Sequence, residues 1–175
     1  MSQSYPPPPG QPQQPQQPQY GAPAPGAFPA PGGYPPPAPA ATGNAGLAIV
    51  AGIVVMLIVA AIYGAILKAT DGATIGYAAL ALGAAIGAVM GKIGGRNPAV
   101  PVIAAVLGLL CYYLGGILAF AFALGDIANV SFFEAFFQHF DLLNEGWTKS
   151  LEAIDALFFI LAAAGGFSTA RKLAG

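Results

Sequence analysis

Ionisable side chains are rare in this chain, so any that falls inside an apolar stretch stands out. Six Lys and Arg and seven Asp and Glu are spread over 175 residues, with one His and one Cys. Asp155 holds most chemical promise. It lies three residues after Glu152, about one turn inside the C-terminal apolar run. A carboxylate below the membrane interface is costly and often marks an ion or proton path. The alternative is that Glu152 and Asp155 both sit at headgroup level and merely set a helix end. Tyr112 and Tyr113 lie in the middle of another apolar run. Their hydroxyls need partners there and could face such an acid.

Other chemistry finds little support. No nucleophile is accompanied by a base and an orienting group, so no catalytic residue is assigned and the chain is expected not to be an enzyme. His139 is the only histidine. Its acidic neighbours Glu134, Asp141 and Glu145 read as a solvated helical face rather than as metal ligands, which would need further His, Cys or carboxylate groups at suitable spacing. Gly91-Lys-Ile-Gly-Gly-Arg96 lacks the spacing of a phosphate-binding loop. Cys111, inside an apolar run, reads as a small buried hydrophobe; alone it can form neither an internal disulfide nor a zinc site. No metal or cofactor is therefore expected. With a net charge of −1 and no basic run, no nucleic-acid partner is expected either.

The elements that must position these residues follow from composition. Hydrophobic residues make up 56% of the chain and charged residues only 7%, against roughly 25% in a typical soluble domain. So few charges cannot cover so large an apolar core in water, whereas lipid can. Residues 1–42 are different. All of the 17 prolines except Pro98 and Pro101 fall there, mixed with Gln, Gly and Ala. Proline fixes φ and removes a donor, so this segment is expected to be a disordered, polyproline-biased tail. Tyr5, Tyr20, Phe28 and Tyr34 are spaced along it. The tail reads either as a flexible spacer or as a docking arm for protein partners with aromatic grooves. The first apolar stretch begins only near Ala45, too late for a cleaved signal peptide, and is expected to act as an uncleaved signal anchor.

Residues 43–175 read as a transmembrane domain. The first span, 45–67, has 23 residues and no charge; at 1.5 Å per residue it reaches roughly 34 Å, enough for a hydrocarbon core of ~30 Å. Lys68, Asp71 and Gly72 close it. The second span, 73–91, carries Gly76, Gly83, Gly87 and Gly91 on one stripe, a helix-packing face that lets a neighbouring backbone come close. The same stripe could line a ring of subunits, so a homo-oligomer stays open. A short polar turn leads to the third span, 98–124, where Pro98 suits a helix start. Spans two and three thus form an antiparallel hairpin. The fourth span is 151–170, ended by Arg171 and Lys172.

Between the last two spans, residues 131–145 show a different period. Phe132, Phe136, Phe140 and Leu143 share one face, widened by Phe133 and Phe137, while Glu134, Gln138, Asp141 and Glu145 share another. Ser131 with Glu134 three residues on marks the helix start. An amphipathic helix with so acidic a stripe should lie in the membrane interface, with Trp147 as a nearby interfacial anchor. The fold expected is an all-α membrane protein: a four-helix transmembrane bundle, an interfacial amphipathic helix and a disordered tail. Four spans put both termini on one side. Lys92, Arg96, Arg171 and Lys172 on that side, against Lys68 and Lys149 on the other, favour cytoplasmic termini in the cell membrane by the positive-inside rule.

The segment Ile75-Gly76-Tyr77 to Gly91-Lys92, the Gly94-Gly95-Arg96 turn and the closing Asp155-Ala-Leu-Phe-Phe to Ala170-Arg171-Lys172, behind a Pro/Gln-rich tail, resemble a loose group of uncharacterised small multi-pass membrane proteins of actinobacterial type. That resemblance implies membrane location and architecture, and no activity. Two functions remain in view. One is a non-enzymatic membrane anchor or scaffold whose tail recruits partners. The other is a subunit of a small oligomeric transporter or channel that uses Asp155 and Glu152.

Overall fold

The computed structural model describes residues 43–72 and 76–174. Expectations about residues 1–42, including Tyr5, Tyr20 and Tyr34, lie outside the described residues, as do the first residues expected in the second span. The described chain folds into α1 (Ala45–Ala69), α2 (Gly76–Gly94), α3 (Ala99–Ala128), α4 (Phe132–Gln138), α5 (Phe140–Ser150) and α6 (Ala153–Lys172), with no strand among those residues. Four of these, α1, α2, α3 and α6, are long and apolar enough to cross a membrane. The protein is an all-α membrane protein built on a four-helix bundle. Large side chains such as Val50, Leu57, Ile58 and Ile62 point outward from α1, as lipid-facing positions do.

Helix ends follow local chemistry. Asn44 caps α1, its Oδ1 accepting from Leu47 N at 2.9 Å, and its own N–H donates to the Ile93 carbonyl at 3.0 Å. That bond ties the start of α1 to the end of α2. Asp71 (φ 49°) and Gly72 (φ 81°) turn the chain out of α1 in left-handed conformations. Glycine takes such a conformation without steric cost. Asn129 ends α3 at φ 54°, another residue that tolerates the left-handed region.

The bundle is held by small residues. α2 packs on α6, α1 on α3, and α3 also on α6. A side chain added at Gly83 would run into the Ala162 carbonyl, at Gly87 into that of Gly166, and at Gly91 into that of Ala170. Gly165 and Gly166 make the reciprocal approaches to Leu80 and Ala104, and Gly108 meets Ala162 from α3. Backbones this close gain dispersion contacts along their whole length, which is the main attraction between helices when lipid is as apolar as their side chains. Gly83, Gly87 and Gly91 thus pack within the chain, against α6. Gly76 opens α2, and its surroundings lie outside the described residues.

The segment expected as one amphipathic helix over 131–145 is two helices. α4 stops at Gln138, His139 adopts φ −118° and ψ 25°, and α5 runs on to Ser150. Ser131 caps α4 by accepting from Glu134 N at 3.2 Å. Phe132 stacks on Phe122 of α3 at 5.0 Å between centroids. Leu143 and Trp147 of α5 join Ile117 and Ala121 in a second apolar cluster. The break at His139 gives each piece its own angle onto α3. Phe133 and Phe137 remain exposed and mutually stacked, an aromatic pair turned away from the core.

Candidate functional site

Thirty residues make α3 about 45 Å long, longer than a hydrocarbon core of ~30 Å. Its second half therefore has room to receive α4 and α5 before α6 begins. At that end Lys68 of α1 and Asp126 of α3 meet in a partly exposed ion pair. α6 starts beside the middle of α3, not at its end: Tyr112 Oη donates to Asp155 Oδ1 at 2.6 Å. The other Asp155 oxygen accepts from Glu152 N at 2.8 Å, while Asp155 N donates to the Glu152 carbonyl at 3.0 Å. Asp155 thus closes the first turn of α6 and fastens it to α3.

A cavity of about 360 Å³ opens beside this pair. Its walls are Tyr63 and Leu67 of α1, Tyr112, Gly116, Ala119 and Phe120 of α3, Trp147 and Ser150 of α5, and Leu151 of the α5–α6 connection. Asp71 and Gly72, in the turn after α1, line it at the polar end of the bundle. Tyr63 and Tyr112 lie 5.8 Å apart, and Phe159 meets Tyr112 edge-on at 4.9 Å. Deeper in the bundle, Gly83, Gly108 and Ala162 close backbone to backbone.

Trp147 is not an interfacial anchor. Only 8% exposed, it lies edge-on to Tyr113 at 4.9 Å and beside Phe159 at 6.0 Å. Its indole sits where a side chain on Gly116 would be. The missing Cβ at Gly116 is what admits the ring. Nothing in the local pattern around residue 147 marks this burial; a glycine about three turns from the end of α3 is the only signal, and it is ambiguous in a chain with 24 glycines.

Of the two acids expected to act together, Asp155 lines the cavity and Glu152 is exposed outside its lining. Tyr112 takes Asp155 as its partner, whereas Tyr113 donates to Asn144 Oδ1 at 2.8 Å. Tyr63, Asp71 and Trp147 join the site only through tertiary structure. Cys111 is fully buried, its Sγ 3.7 Å from the Met56 carbonyl. Among the described residues, no three His, Cys, Asp or Glu side chains are grouped to hold a metal ion.

At the opposite end, Arg96 and Arg171 line one groove with Pro101, Val102 and Phe167. The two basic segments that the sequence separates by 75 positions are neighbours there. Comparison with family models, curated proteins and solved structures finds no match to the chain.

Proposed function

We propose that this chain is a non-enzymatic anchor and scaffold of the cell membrane, akin to small actinobacterial multi-pass proteins. Its bundle holds it in the bilayer, and residues 1–42 recruit protein partners. The observation that carries this reading is the seam at Gly83, Gly108 and Ala162, where three helices meet at backbone distance. Helices joined this way move as one body, and a solute path between them would require them to part. The tail, with its spaced Tyr5, Tyr20 and Tyr34, supplies several weak docking points that gain from being on one tether.

Both termini are cytoplasmic in this reading. Arg96 and Arg171 share a groove at that end, while Lys68 and Lys149 at the other are paired with Asp126 and Glu145. Lys92, Arg96, Arg171 and Lys172 at that end outnumber Lys68 and Lys149 at the other, the bias expected of a cytoplasmic side. The test is an in-membrane crosslinking pull-down with mass spectrometry, comparing the full chain with one lacking residues 1–42. A defined set of partners lost with the tail supports the scaffold; an unchanged set sinks it.

The second reading is a subunit of a small transporter or channel, favoured by the Asp155 side chain facing a cavity beside Tyr112. Four spans would then need to assemble as a homo-oligomer. Asp155→Asn should abolish flux in liposomes; unchanged flux, or none with the unaltered chain, rules this reading out.

A further inference from the structure

We propose that the cavity between Asp155 and Asp71 is a binding site for a compact organic ammonium ion bearing apolar groups. This goes beyond the anchor reading and stands whether or not the bundle carries flux. Two carboxylates and no basic side chain are among the residues that line the cavity. Lys68 lines the adjoining groove, which shares Leu67, Asp71, Gly72, Ala119 and Phe120 with the cavity, and is engaged there with Asp126. An anion entering would meet like charge, and a neutral solute would leave the half-buried Asp155 carboxylate without a counter-charge.

The walls select the kind of cation. Tyr63, Tyr112, Phe120 and Trp147 supply aromatic surface, whose ring faces attract cations, most strongly when water is excluded. A metal ion would want a shell of oxygen ligands at close range, and among the described residues no three His, Cys, Asp or Glu side chains are grouped to supply one. An alkylated ammonium carries its charge on a large, weakly hydrated surface, so apolar walls suit it. The volume of about 360 Å³ lies within the range of small-molecule sites. Asp155 keeps acceptor capacity after its bonds to Tyr112 and Glu152, since each carboxylate oxygen has two lone pairs. The same ammonium chemistry is presented by free amines and by choline-type lipid headgroups.

Trp147 is the only tryptophan in the chain and lines the cavity, so its fluorescence reports occupancy without a label. The full chain in maltoside micelles is titrated with benzyltrimethylammonium, with its uncharged carbon isostere neopentylbenzene, and with benzenesulfonate. The expected result is a saturable change with the ammonium ion and binding at least about tenfold weaker with the other two. Asp155→Asn should weaken ammonium binding by about tenfold or more, and Asp155→Glu should retain most of it. Asp71→Asn lies on an exposed turn where Asn tolerates the backbone. It should weaken binding severalfold with the fold intact, and it decides the matter if Asp155→Asn does not fold. Adding phosphatidylcholine to the micelles separates the two sources: competition assigns the site to a lipid headgroup, and unchanged binding assigns it to a free amine. Equal binding of the neutral isostere, or carboxamide variants that bind ammonium as the unaltered chain does, would overturn the proposal.

Discussion

The Tyr112 hydroxyl donates to Asp155 Oδ1 at 2.6 Å across 43 positions of sequence, joining the middle of α3 to the first turn of α6. Removing the donor with Tyr112→Phe leaves that oxygen short of a partner and the ring packing with Tyr63 and Phe159 in place. The expected cost is about 0.5–1.5 kcal/mol, the usual range for such bonds within membranes. Unfolding by SDS in mixed micelles measures it. A double-mutant cycle with Asp155→Ala should return a coupling of the same size, and a coupling near zero would remove the bond from the account of stability.

Gly83→Leu forces a side chain into the Ala162 carbonyl, and backbone cannot move aside as a side-chain tip can. Loss of folded protein, or destabilisation of at least about 2 kcal/mol, is expected from overpacking at this seam. Gly46→Ala is the control. A methyl group there meets only Asn44 Oδ1 at 3.5 Å, an ordinary contact, so its effect should be near neutral or slightly stabilising.

Gly116→Ala should expel Trp147. A methyl at that position overlaps the indole. Emission from the single tryptophan should shift to the red and become more accessible to a soluble quencher such as iodide. An unchanged spectrum would mean that the indole does not rest on Gly116.

Cys111 is fully buried beneath α1. In the folded bundle a maleimide should leave it unmodified over hours, with labelling appearing only in step with SDS unfolding. Fast labelling under native conditions would contradict the packing of α1 on α3.

The Lys68–Asp126 pair is partly exposed, with side chains 37% and 67% accessible. Its contribution should be small, about 0.2–1 kcal/mol, and should fade as salt rises. Asp126→Asn measured at low and high ionic strength tests this; a large, salt-independent loss would point to a structural role for Asp126 beyond the pair.

Much of the architecture was legible locally. The spans from Ala45, Pro98 and Leu151 emerge because a helix that crosses lipid must hide every backbone polar group within itself and show apolar side chains outside, which leaves long uncharged runs in the chain. The Gly83, Gly87 and Gly91 stripe was readable for a similar reason: a period of four places the three residues on one helix face. The Ser131 cap was readable because its partner is three residues away. These signals depend on neighbours in sequence and on the solvent, and the sequence by itself contains both.

What faces what across the bundle had a different origin. The choice of Asp155 by Tyr112, of Asn144 by Tyr113, the burial of Trp147 on Gly116 and the recruitment of Asp71 to the cavity rim all depend on the relative heights of α1, α3, α5 and α6. The break at His139 decides those heights for α5, and no period marks it. An amphipathic pattern states which face of a helix is apolar; it does not state where along a neighbouring helix that face comes to rest. That is set by the sum of small packing contacts along the seams, and only the tertiary structure resolves it.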